Sequence, residues 1–262
     1  MDAVRVRRGG PLREDRMSES DTSRRVVLTA CADYAIDHVQ AAVAVALSPL
    51  GGMEKFVRPG MTVLLKPNLV MAMGVERAAC THPAVVEAVG RLVLDCGGRL
   101  LVGDSPGVST ARKVAETCGI AAVVDRLGGR VVEFTLANAS RDRDNPNLAM
   151  AEMAREVLEA DCVINLPKFK THAMMALTLG VKNCFGCIVG ARKFQWHYRA
   201  GHSPELFGRM LVDVWRAAHP ALTILDGVIG MEGQGPTGGT PRHIGLIAAA
   251  ENAARLDAAC AT

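Results

Sequence analysis

Four lysines, Lys168, Lys170, Lys182 and Lys193, fall within 26 residues of a chain that has only seven. Arginine outnumbers lysine 23 to 7, so general surface charge is carried by guanidinium. Lysine kept apart in this way suits a compact, titratable or nucleophilic ammonium. Asn165 to His172 (Asn-Leu-Pro-Lys-Phe-Lys-Thr-His) adds an imidazole to two of these amines. Together they can hold a carboxylate or phosphate and move a proton. His172, Lys182 and Lys168 are the candidate catalytic groups. Lys170 and Asn183 join them as ligand contacts. The plainer alternatives are a lysine-rich solvated face and a capping histidine.

Other motifs carry chemistry as well. Lys66-Pro-Asn68 ends an apolar run, and Thr81-His82-Pro83 marks a helix start where a bound anion would be favoured. Gly103-Asp104-Ser105-Pro106-Gly107 is a turn whose backbone N–H groups can approach a ligand, although this is also ordinary turn chemistry. Asp226 opens the Gly-rich stretch that contains Glu232 and runs into Gly233–Gly239, long enough to close over a substrate. Asp104 and Glu232 are the candidate polar or metal contacts. Cys184-Phe-Gly-Cys187 is a C-x-x-C, a redox or metal pair if not simply two buried thiols. Trp196-His197-Tyr198, with Arg199 and His202, can wall a pocket or anchor a loop.

These residues need a scaffold, and the hydrophobic pattern supplies one. Apolar β-branched runs at 25–30, 61–66, 99–103, 130–134, 161–165, 221–226 and 243–249 read as strands. Helical spacing occupies 34–47, 83–95, 109–118, 148–159 and 203–217, with Thr81 a possible N-cap for the second. Strands separated by helices indicate an α/β fold, a mainly parallel sheet with helices on both faces. In such sheets ligands sit at the carboxyl ends of strands. The polar motifs fall at four of those ends.

Composition excludes several functions. The chain is 262 residues long and 49% hydrophobic, enough apolar surface for a folded core. It has 10 aromatic residues, too few for a base-stacking single-strand binder. Most of the net charge of +3 lies in residues 1–25, and the remainder is nearly neutral, so neither nucleic acid nor an anionic membrane is an expected partner. No apolar run is long enough to span a bilayer. Arg24-Arg25 mimics a twin-arginine signal, but Asp33 and Asp37 interrupt the apolar run that would follow. Eight cysteines without a secreted pattern point to the cytoplasm. Residues 1–24 read as a disordered leader, with Met17 a plausible start, and 25–262 as one α/β domain.

Taken as a set, these motifs with Gly180-Val-Lys-Asn183 and Asp226–Pro236 resemble the domain of unknown function 362 family, from about Arg25 onward. The resemblance implies an iron–sulfur-associated redox protein. Many members continue into a ferredoxin-like domain with two 4Fe-4S clusters. Ala248 to Thr262 resembles the point where members enter a further helix, so the expectation is a domain truncated at its C-terminus, and this chain has no downstream cluster cysteines of its own. Clusters would come from a partner or the missing domain, with a ferredoxin-like protein as the partner and a small anion as ligand. His172 to Gly180-Val-Lys182 also has a fainter similarity to the lactate racemase family, where such residues hold a nickel-bearing nucleotide. That resemblance implies the alternative of an isomerase or lyase acting on a small acid. A non-catalytic scaffold for a phosphate-bearing ligand is the third reading.

Overall fold

Val63, Leu64 and Leu65 are all inaccessible to solvent, as expected of a strand covered on both faces. They belong to β2 (Thr62–Pro67), in the interior of the sheet. The computed structural model describes residues 24–137, 153–190, 192–201 and 203–262. Around β2 lie β1 (Val27–Ala30), β3 (Arg99–Asp104), β4 (Arg130–Glu133), β5 (Cys162–Leu166), β8 (Leu222–Glu232) and β9 (Thr240–Ala250), in the order β1-β9-β8-β5-β2-β3-β4. The pairs β2/β3, β2/β5, β3/β4 and β5/β8 are parallel. The β8/β9 and β9/β1 pairs are antiparallel and form one flank.

Period-two alternation divides the core. Val63 and Leu65 face α1 (Ile36–Leu47), α2 (Pro83–Asp95), α3 (Ala111–Thr117) and α4 (Ile120–Arg126). Leu64 and Val163 face the opposite cluster, built with α5 (Arg155–Glu159), α7 (Arg192–Ala200) and α8 (Pro204–Ala218). Helices thus cover both faces, as the pattern predicts. A short α6 (Gly180–Asn183) and α9 (Ala253–Cys260) close the antiparallel flank, where Leu179, Leu225, Ala248 and Leu256 pack together.

Several expectations change. The helix expected over 109–118 ends at Thr117, and Gly119, at φ +82°, lets the chain turn into α4. His82, rather than Thr81, caps α2: its Nδ1 accepts the Ala84 N–H at 3.1 Å. The helix expected over 148–159 is described only as Arg155–Glu159; residues 148–152 lie outside the described residues, as does the leader up to residue 23.

The largest revision concerns the polar segments. Lys168–His172 is a strand, β6, and the Asp226–Glu232 stretch is the second half of β8. Pro167 separates β5 from β6, and both run beside β8: Asn165 pairs Thr223, then Lys168 pairs Asp226 and Lys170 pairs Met231. β8 bulges between those last two pairs, and a bulge re-aims side chains. β7 (Ala176–Thr178) returns antiparallel on β6. Two of the four expected loops are therefore sheet, and the candidate side chains of these segments stand on strand backbone.

Candidate functional site

Two Lys–Asp pairs, each with a nitrogen–oxygen separation of 2.8 Å, lie beyond the carboxyl ends of the central strands. The first joins Lys168 of β6 to Asp226 of β8. Both are buried, and every polar atom around them is used. Tyr34 donates to Asp226 Oδ1 at 2.7 Å, the His82 N–H donates to Oδ2 at 2.8 Å, and Lys168 also donates to the Tyr34 hydroxyl at 2.7 Å. The Tyr34 and His82 rings stack with centroids 3.5 Å apart. Burial, and the nearby Lys168, outweigh the attraction of Asp226 and hold the imidazole down at about 4. His82 is thus a neutral capping histidine.

The second pair joins Lys66, at the end of β2, to Asp104, at the end of β3. Asp104 also accepts the N–H groups of Leu69 at 2.7 Å and Ser105 at 2.8 Å. Lys193 of α7 donates to the Ser105 carbonyl, while the Ser105 hydroxyl accepts the Gly190 N–H at 2.9 Å. Gly186 lies against the pair: a methyl there would overlap Asp104 Oδ1 and reach 2.7 Å from Lys66 Nζ. Only a residue without a side chain fits.

Lys170 lies between the two pairs and has no carboxylate of its own. Its ammonium donates to Asn68 Oδ1 at 2.7 Å, the Ala79 carbonyl at 2.6 Å and the Pro236 carbonyl at 3.2 Å. Asn68 donates to Asn183 at 3.0 Å, Asn183 to Asn165 at 2.8 Å and Asn165 to the Gly180 carbonyl at 2.9 Å, a chain of amides that fixes the site's floor. Desolvation brings the Lys170 ammonium down to about 7. The Cys80 thiol nearby is lowered to about 7, first by a hydrogen bond with Cys118, with Lys170 also contributing.

Lys182 of α6 lies 5.0 Å from the Phe185 ring centroid and 5.8 Å from that of Phe207. Burial first, then Lys193 and Lys66, bring it down to about 8, and burial with Lys66 does the same for Lys193. His172 Nδ1 accepts the N–H groups of Met174 at 3.1 Å and Met175 at 3.2 Å. Burial, with Lys182 next, keeps its ring neutral at about 4, so Nε2 carries the proton.

Contacts thus join Lys168, Asp226 and His82 in one group and Lys66, Asp104, Ser105, Asn68, Asn183 and Lys170 in another, while Lys182 and His172 are joined to them through electrostatic influence alone. Glu232 is in neither: it is exposed and paired with Arg242 at 2.6 Å. Cys184 and Cys187 are buried in the apolar core, where desolvation raises both thiols. All eight cysteines are described and free, and among the described residues no three His, Cys, Asp or Glu gather as metal ligands. The donor set does not fit a four-thiolate cluster. Tyr34, Lys193 and Cys80 are additions that motif reading passed over as site residues. Rarity was a usable signal for Tyr34, one of two tyrosines. His202 lies outside the described residues. A groove of about 500 Å³ lined by Thr62, Leu101, Arg130 and Glu156 lies toward the other end of β2 and contains none of these side chains.

The family model for "Domain of unknown function (DUF362)" matches residues 63–262. Over 234 residues the chain is 43% identical to "Thylakoid-associated protein sll1697" of Synechocystis, covering 89% of this chain and 72% of the relative. Among solved structures it is similar to the lactate racemase apoprotein from Thermoanaerobacterium thermosaccharolyticum, with a TM-score of 0.49 and 11% identity, covering 88% of this chain. This chain spans 55% of the length of that structure. Among the described residues no helix is long and apolar enough to cross a membrane.

Proposed function

This chain belongs to the DUF362 family, and from that premise we propose that it binds a small organic anion at the Asp104 corner, with Lys182 and His172 placed to move a proton. One observation carries the reading. Lys66, Lys182 and Lys193 interact around a single carboxylate, Asp104, and Lys170 adds charge from one side. Buried like charges without a matching anion are unfavourable. A protein that keeps them gains a strong site for a carboxylate or phosphate.

An iron–sulfur-linked redox role draws support from the resemblance, not from the thiols of this chain. In this proposal the clusters belong to a ferredoxin-like partner. Cytoplasmic placement is supported by the free thiols. The name of the cyanobacterial relative supports work beside a membrane.

Ligand that binds only the native state stabilises it, by about 2.7 kcal/mol at a hundredfold excess over Kd. Acetate, oxalate and inorganic phosphate at constant ionic strength, against chloride, should each be tested for a rise in Tm and for saturable calorimetric binding. Equal melting in every salt, with no heat of binding, would sink the anion reading. Anaerobic preparation followed by iron and sulfide analysis tests the redox arm, and stoichiometric iron in this chain would overturn the assignment of clusters to a partner.

A further inference from the structure

Lys182, half-buried like Lys193, differs from that lysine and from the buried Lys66, Lys168 and Lys170 in what it lacks. Lys66 and Lys168 each hold a carboxylate, Lys170 holds three oxygens and Lys193 holds the Ser105 carbonyl. Among the described residues the Lys182 ammonium meets no hydrogen-bond acceptor, only the faces of Phe185 and Phe207. The same two rings hold His197, at centroid distances of 5.5 Å and 4.5 Å. An amine on an apolar floor, with cations beside it and no acceptor to hold it as an ammonium, is the arrangement of an amine nucleophile.

We propose that Lys182 is an imine-forming nucleophile, and that the anion of the preceding section is a small 2-oxo acid whose carboxylate answers the surplus positive charge while its carbonyl carbon meets Lys182 Nζ. This rests on the anion-binding reading. The nitrogen lone pair attacks the carbonyl carbon, forming the C–N bond and breaking the C=O π bond to give a carbinolamine. Both amine protons then leave with the former carbonyl oxygen as water, and C=N forms. Nothing is oxidised or reduced. The burial that keeps part of Lys182 neutral near pH 8 supplies the free lone pair. In this proposal His172, whose Nδ1 is taken by the Met174 and Met175 N–H groups, offers its Nε2 to pass protons to the departing oxygen.

The test treats the full chain with pyruvate and cyanoborohydride, then maps the peptides by mass. The expected result is one reduced pyruvate adduct, on the peptide bearing Lys182, suppressed by acetate and lost in Lys182→Arg. Wild-type mapping stands by itself if that variant fails to fold. An adduct that persists in Lys182→Arg, or one spread over exposed Lys55 and Lys113, overturns the proposal. So does wild-type protein that binds acetate and pyruvate yet gains no adduct, an outcome that leaves anion binding intact. If neither acid binds, the anion reading falls first and this inference with it.

Discussion

The Asp226 corner and the Asp104 corner contain the same element, a buried Lys–Asp pair at 2.8 Å, and differ in everything placed around it. At Asp226 a single ammonium meets a single carboxylate, and a tyrosine hydroxyl and a backbone N–H complete the oxygens. At Asp104 the carboxylate serves Lys66 while Lys182 and Lys193 add charge without adding an acid. Closed pairing of the first kind staples β1's exit, β6, β8 and the start of α2. Open pairing of the second kind leaves surplus charge, which the proposed anion would answer. Burial alone, equal in both places, distinguishes nothing; stoichiometry does.

If Asp226 is a staple, breaking it should be the costliest change. Asp226→Asn leaves Lys168 buried opposite an amide, and loss of one partner of a buried pair costs about 3–5 kcal/mol. Urea unfolding should show that loss, and added acetate should not restore it. Recovery by anion would erase the distinction between the corners. Gly186→Ala is next. Its methyl overlaps the Asp104 carboxylate, which Leu69, Ser105 and Lys66 already hold in place. Overpacking of this kind costs about 1–3 kcal/mol, and here it should also remove anion binding. A variant that keeps both stability and binding would show that the Asp104 corner is looser than its geometry.

The sequence discloses the site better than it discloses the elements that hold it. Lys66, Asp104 and Asn165 were legible because apolar parallel strands end in polar residues there. β6 was not, because Lys-Phe-Lys-Thr-His has the period of a strand with the polarity of a loop. The alternation in it places Lys168 and Lys170 two residues apart on buried backbone, a signal masked by their charge. Glu232 illustrates the reverse error: a Gly-rich neighbourhood suggested a ligand loop, whereas extended pairing with β9 carries its side chain out to Arg242. Tyr34 acts across 192 residues of chain, a distance at which no local pattern informs, and the lysine cluster that shows Lys193 gives no sign of the Ser105 carbonyl it meets 88 residues away.

Surplus charge also predicts an unusual pH response. Lys170, Lys182 and Lys193 are bases lowered from 10.5 to about 7, 8 and 8. Between about 7 and 10.5 the native protein therefore holds fewer protons than the unfolded chain, and stability rises with pH. The penalty is complete below pH 7 and is released as pH climbs. Thiols raised by burial, such as Cys162, act in the opposite direction above 9, so the window to measure is pH 7 to 9. Unfolding free energy should gain on the order of 1 kcal/mol per pH unit there. Saturating acetate should flatten the slope, because a bound anion returns the amines toward their ordinary values. A flat profile without ligand would mean that the corner is not overcharged.

The smallest effect separates the corners most sharply. Lys182→Met keeps an unbranched side chain, one atom shorter, and gives Phe185 and Phe207 a thioether to contact. It removes one cation from a cluster with more cations than carboxylates. Folding stability should stay within about 0.5 kcal/mol of wild type or rise slightly, as at sites where stability is traded for function. Acetate affinity should meanwhile fall about tenfold, roughly 1.4 kcal/mol. No residue of the Asp226 corner can give that combination, because each of its polar groups has a partner to strand. A stability loss of several kcal/mol in Lys182→Met would therefore make Lys182 a structural ammonium and reduce the two corners to one kind.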